Sequence, residues 1–249
     1  MNKKIVIIGA GPTGLGAAWR LSELKHQNWH LYERHAYPGG LASSFADKNG
    51  FTWDIGGHVL FSHYKYFDRL MDKLLGKSWY YHVRESWIWI FDRFVPYPFQ
   101  YNIKHLPPDE LWKCIKGLID RQNSPPQKRP KNFAEWIYQG FGQGLAEIFM
   151  IPYNFKVWAH HPRLMHYKWI GERVATIDLD RLIKNITDDL DDISWGPNST
   201  FRFPKNNGTG QIFSSLARRL NQEKISYQKD VGKIDVKKKD RLFYRQHQR

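Results

Sequence analysis

An apolar run, Ile5 to Ile8, feeds a loop with glycine at 9, 11 and 14, and a segment with helical character follows. Strand, G-x-G-x-x-G, then helix is the dinucleotide-binding fingerprint, and few other features restrict a fold so tightly. Gly9 permits the tight turn, Gly11 lets backbone approach a pyrophosphate, and Gly14 lets the helix lie close to the strand. The helix N-terminus then faces the phosphates. An acidic residue is expected about 20 residues further on, at the end of the second strand, to hold a ribose hydroxyl. Glu33, in HLYER, occupies that place.

Two further glycine pairs follow, Gly39-Gly40 and Gly56-Gly57, the second leading into His58. A nicotinamide site needs neither. A larger cofactor lying along the backbone beyond the first β-α-β unit does, which favours FAD. Pro12, Thr13, Arg34, Leu41 and Ala42 flank these glycines and join the same expected cofactor-binding set.

The 249 residues suffice for one large domain or two smaller ones. The formal charge of +14 would suit nucleic acid, an acidic membrane face or an anionic substrate. The basic residues are spread out, with Lys237-Lys238-Lys239 the only dense cluster, and no nucleic-acid-binding signature accompanies them. A solvated basic surface is the expectation, with no nucleic-acid partner. The single cysteine, Cys114, cannot form an internal disulfide. No apolar run approaches the roughly 20 residues of a membrane span. A cytoplasmic protein is expected. The histidines match no usual zinc spacing and no cysteine joins them, so no metal is assigned.

Residues 1–75 read as the FAD-binding β-α-β unit and its glycine loops, with a helix at Phe67, Leu70, Met71 and Leu74. Residues 76–200 read as a mixed, mainly helical substrate region. It holds a strand over Ser86–Ile90 and a segment in which Pro96 and Pro98 oppose sheet pairing. A helix is expected after Pro107-Pro108, then two helices broken at Gly142 and Gly144, and helix again over 169–191. The segment from Trp195 to Gly210 is turn-rich. Residues 201–249 read as a partial return to the first domain, with one amphipathic helix and two or three short strands.

GGLASSF, DIGGHVLFSHYKYFD, VPYPFQYNI, FMIPYNFKVWA, WIGERVA and WGPNSTFRFP occur in that order along nearly the whole chain. Together they resemble the eukaryotic-type UDP-galactopyranose mutases. The wider amine-oxidase and protoporphyrinogen-oxidase group shares the FAD part but lacks the middle motifs. The resemblance implies an α/β, Rossmann-like FAD-binding domain with an inserted, mainly helical substrate domain. It implies an isomerase without net redox chemistry, in which reduced FAD acts as a nucleophile on a UDP-sugar. The product, UDP-galactofuranose, would serve cell-wall or glycan biosynthesis. NADPH or NADH would be the reductant, and a homo-oligomer is possible.

The resemblance also assigns residues. His58 would lie beside the flavin and Phe61 at the sugar end of the cleft, with Arg84 near the isoalloxazine. Tyr97, Phe99 and Gln100 would hold the uracil, and Asn154 and Trp158 the nucleotide. Arg173 would sit by the sugar and diphosphate, where a guanidinium fork suits phosphate oxygens, and Asn198 by a sugar hydroxyl. His58 and Arg173 are the expected catalytic residues. The chain is shorter than family members and is expected to be C-terminally truncated. Two other readings stay open: an FAD-dependent oxidoreductase of the amine-oxidase type, and a non-catalytic nucleotide-binding remnant.

Overall fold

The computed structural model describes residues 3–125, 128–171, 174, 176–193, 199–235 and 242–244. The chain forms two compact units, Met1–His82 with Thr200–Arg249 and, inserted between them, Val83–Ser199.

The first unit begins with β1 (Ile5–Ile8), α1 (Pro12–Glu23) and β2 (Trp29–Tyr32). β1 and β2 pair in parallel, Ile5 opposite Trp29 and Ile8 opposite Tyr32. Pro12 opens α1 where a missing N–H costs nothing. Leu15, Ala18 and Trp19, spaced to share one helix face, are buried. Next come the antiparallel pair β3 (Ser44–Ala46) and β4 (Thr52–Asp54), then α2 (Lys65–Leu75), which buries Leu70, Met71 and Leu74, and β5 (Trp79–Val83).

The second unit opens with the hairpin β6 (Trp87–Ile90) and β7 (Arg93–Pro96). Its two turn residues, Phe91 and Asp92, have φ of 51° and 56°, the left-handed pair that a type I′ turn requires. The paired register ends at Pro96, opposite Trp87, and one further backbone bond follows, Tyr97 N–H donating to the Ser86 carbonyl at 3.0 Å. Proline is tolerated at that end position, so the segment is part strand and not wholly extended loop.

Helices α3 (Pro108–Gln122), α4 (Phe133–Leu145), α5 (Ile151–Trp158) and α6 (Leu179–Thr187) follow, with one π-helical turn over Ala146–Met150. Asn132 caps α4 by accepting the Glu135 N–H at 2.9 Å. α4 kinks at Gly142, whose φ is 70°. α3 and α4 meet backbone to backbone: a Cβ on Gly144 would lie 2.2 Å from the Lys113 carbonyl oxygen. Among the described residues of the 169–191 segment, the helix runs over Leu179–Thr187. The Asp178 carboxylate accepts the Arg181 N–H at 3.1 Å and sets that start.

The chain then returns to the first unit through β8 (Thr200–Pro204), α7 (Gly210–Arg218), β9 (Ile225–Ser226), β10 (Val231–Ile234) and β11 (Leu242–Tyr244). β8, within the turn-rich segment, was not expected as a strand. It pairs with β5, and β9 joins β2 in parallel, giving the sheet order β1-β2-β9. The start of α7 is tied to the first hairpin: Asp54 accepts the Thr209 N–H at 3.0 Å and the Thr209 hydroxyl at 2.7 Å, and Gly210 N–H donates to Ser44 Oγ at 2.7 Å. Each unit has its own core. Leu15, Leu31 and Ile212 are central to the first, and Phe133, Ile137 and Phe141 to the second.

Candidate functional site

In the first unit a cavity of about 520 Å³ lies at the carboxyl ends of β1 and β2. This is where open α/β sheets take their ligands. Gly9, at φ 96°, turns the chain and donates its N–H to the Tyr32 carbonyl at 2.8 Å. Gly14 has no room for a side chain, since a Cβ there would lie 1.9 Å from the Gly9 carbonyl oxygen. Gly11 differs. Its φ of −71° suits any residue, and an added Cβ would meet no protein atom within 4 Å. Gly11 lines the cavity, so its missing side chain leaves ligand space open rather than relieving a clash.

Glu33 is 5% exposed. Its Oε2 accepts the Ala10 N–H and its Oε1 the His35 N–H, each at 2.7 Å. One carboxylate thus ties the glycine loop to the end of β2 and still has lone pairs for hydroxyls. Arg34 and Leu41 also line the cavity. Pro12 and Thr13 are exposed at the start of α1, while Ala42 is packed inward. Gly39 donates its N–H to the Ala10 carbonyl at 2.8 Å, and Gly39 and Gly40 turn at φ of 112° and 54°.

Gly56 turns at φ 94°, and Gly57 beside it is exposed. His58 Nε2 lies 3.0 Å from the Leu41 carbonyl oxygen and 3.1 Å from that of Ile55. Both of those residues line the cavity, so His58 braces two pieces of its rim. Phe61 is 41% exposed, with its ring edge-on to His63, and it lines neither this cavity nor the next.

Lys229, Asp230 and Val231 line the same cavity. They had no signal near the glycine motifs, because they reach the site only through the chain's return. Lys229 N–H donates to the Glu33 carbonyl at 2.8 Å and Gln228 N–H to the His35 carbonyl at 3.1 Å, so this strand entry lies along β2.

The second unit has its own cavity, about 130 Å³, lined by Tyr97 and Gln100 on one side and by Asn154, Trp158 and Trp169 among others. The structure puts Phe99 behind this wall. It is fully buried and stacks on Phe149 with ring centroids 4.1 Å apart, and Phe149 stacks on Tyr153 at 4.8 Å. Phe149 and Tyr153 line the cavity in its place. The signal for them was present in FMIPYNFKVW, where 149, 153 and 157 share one helix face, as do 150, 154 and 158.

Asn154 is buried, and its Nδ2 donates to the Met150 carbonyl at 2.8 Å, leaving its oxygen for other donors. Trp158 is half exposed and edge-on to Trp169 at 5.0 Å. Burial pushes the Tyr97 phenol up to about 12; Tyr153 adds to this and Arg84 opposes it. Tyr97 is therefore a neutral hydrogen-bonding group at physiological pH. Arg84 is half-buried, with its N–H donating to the Ser199 carbonyl at 2.8 Å. Arg173, Asn198 and the Lys237–Lys239 cluster lie outside the described residues.

Residues 7–74 match the family model of the NAD(P)-binding Rossmann-like domain. Over 71 residues the chain is 39% identical to the zeta-carotene desaturase of Capsicum annuum, an alignment covering 28% of this chain and 12% of that protein. A crystal structure of reduced UDP-galactopyranose mutase superposes on 90% of the chain with a TM-score of 0.86 and 54% identity. The chain resembles UDP-galactopyranose mutase. It spans about half of that mutase structure, 48% of its length. The likeness to a putative protoporphyrinogen oxidase from Exiguobacterium, at 17% identity and a TM-score of 0.64, shows the shared fold alone.

The desaturase likeness covers 28% of the chain, whereas the mutase likeness covers 90% of it. The chain thus carries an α/β, Rossmann-like NAD(P)/FAD-binding domain of the kind found in mutase-like structures. Among the described residues no group of three or more His, Cys, Asp or Glu is gathered as a metal site, and no helix is long and apolar enough to cross a membrane.

Proposed function

We propose that this chain is the FAD-binding and nucleotide-binding part of a UDP-galactopyranose mutase. The observation that carries the reading is the 54% identity to the mutase structure over 90% of the chain. FAD fits the first cavity on its donor set: a bare backbone position at Gly11, the first turn of α1, and a pre-oriented buried carboxylate at Glu33. Glu33 would accept ribose hydroxyls, and the first amides of α1 would face the pyrophosphate. When bound and reduced, FAD supplies a flavin N5 nucleophile for the anomeric carbon of the sugar.

The protein's own part is binding, orientation and charge. His58 keeps the cavity rim in place through Leu41 and Ile55. Tyr97, Gln100, Asn154 and Trp158 would grip the uridine nucleotide, with Phe99 backing the Phe149–Tyr153 stack. Arg84 would lie near the isoalloxazine and Phe61 at the sugar, while Arg173 and Asn198 would serve the diphosphate and sugar. NADPH or NADH would keep the flavin reduced.

The test is a UDP titration read by tryptophan fluorescence, since Trp158 and Trp169 line the second cavity. UDP is expected to change the emission saturably, and Tyr97→Ala to weaken binding about tenfold, the cost of losing one well-packed ring contact. No response to UDP, together with reduction of bound FAD by an amine, would replace this reading with an amine-oxidase-type oxidoreductase.

A further inference from the structure

The cofactor cavity holds a feature that its motifs do not explain. His35 and Tyr37 both line it, both are exposed, and their rings stack on each other with centroids 5.2 Å apart and planes 16° from parallel. Exposed rings are ordinary at a surface. These two stand on backbone held from several sides. The His35 N–H is taken by Glu33 Oε1 at 2.7 Å and its carbonyl by the Gln228 N–H at 3.1 Å. Just past Tyr37, the Pro38 carbonyl accepts Ser43 Oγ at 3.1 Å and the Gly39 N–H is bonded to Ala10. A ring pair on such a backbone has lost much of its freedom before any ligand arrives, so stacking a planar group on it costs little further entropy.

We propose that the His35–Tyr37 pair is a stacking shelf for the purine base of the cofactor. The proposal rests on the FAD reading above and extends it to the base. Glu33 is the ribose anchor in that reading, and the base is one glycosidic bond from the ribose. His35 is two residues from Glu33 and bonded to the same carboxylate, which makes its ring the near neighbour for the base. The pair offers a π-face that any purine can use, with Lys229 and Asp230 on the same cavity. The shelf thereby selects dinucleotides over mononucleotide flavins.

Calorimetric titration of the 249-residue chain with FAD, ADP and FMN tests this. His35→Ala and Tyr37→Ala should each weaken FAD and ADP about tenfold, the cost of losing one base–aromatic stack. They should leave FMN, which has no purine, unchanged. His35→Phe and Tyr37→Phe should restore wild-type affinity. Unfolding midpoints of all variants should match wild type, because both side chains are exposed. Wild-type affinity for FAD and ADP in both alanine variants, or equal loss of FMN, overturns the shelf and leaves the cofactor reading standing. A wild-type chain that binds neither FAD nor ADP overturns both.

Discussion

Glu33 ties the glycine loop to the end of β2, and in the proposed cofactor site it would also hold a ribose hydroxyl. Its position was readable from spacing alone, but its two backbone bonds were not, because the Ala10 amide reaches it only once the glycine loop has turned. Glu33→Gln turns one acceptor into a donor facing a backbone N–H. That should cost about 1–3 kcal/mol for the broken buried bond, seen as a lower thermal unfolding midpoint and weaker FAD binding. Tyr97 gives a pH-dependent counterpart. Its phenol holds its proton up to about 12 in the folded chain against an ordinary value of 10.0. The folded state thus binds this proton more tightly than the unfolded one. The associated stability is complete below pH 10 and is lost as pH rises from 10 through about 12. Denaturant midpoints across that window should fall less steeply for Tyr97→Phe than for wild type. Equal slopes would show that the Tyr97 proton is not held this way.

At the level of elements, the helices and the strands β1, β2 and β6 announced themselves through apolar spacing and turn residues, whereas the hairpin β3–β4 and the strand β5 were not expected. Leu70, Met71 and Leu74 marked α2, and Pro108 with Asp109 and Glu110 behind it marked the start of α3. The exceptions have identifiable causes. β8 lies in a stretch of Gly, Pro and Asn, and its strand state comes from pairing with β5, more than a hundred residues away in sequence. Among the described residues the expected last helix of the insertion begins only at Leu179, because Asp178 accepts the Arg181 amide and starts α6 there. Gly142 and Gly144 read as a break, and Gly142 is one. Gly144 serves instead to let α4 touch the backbone of α3. Gly144→Ala sets a Cβ 2.2 Å from the Lys113 carbonyl oxygen. Overpacking of this kind costs about 1–3 kcal/mol or more. The unfolding midpoint should drop by several degrees, while Gly140→Ala, where the added Cβ meets nothing within 4 Å, should leave it unchanged or raise it.

For the molecule as a whole, the order of segments along the chain carried the Rossmann-like domain and the mutase likeness, and the three-dimensional match agrees with both. The wall built by Lys229, Asp230 and Val231 was hidden, since the chain leaves the first unit at His82 and comes back at Thr200 before reaching it. The burial of Phe99 behind the second cavity was hidden for a related reason: a motif fixes a residue's neighbourhood but not which of its sides is buried. In the proposed function the first cavity is an FAD site kept open by bare backbone. Gly11 allows a direct test, because its backbone suits any residue and a side chain there would meet only ligand space. The measurement is flavin retained after reconstitution with FAD and gel filtration, compared between wild type and Gly11→Val. Stoichiometric flavin is expected on the wild-type chain and none on Gly11→Val, with equal unfolding midpoints for the two cofactor-free proteins. A wild-type chain without flavin, or a Gly11→Val chain that retains as much, would contradict that reading.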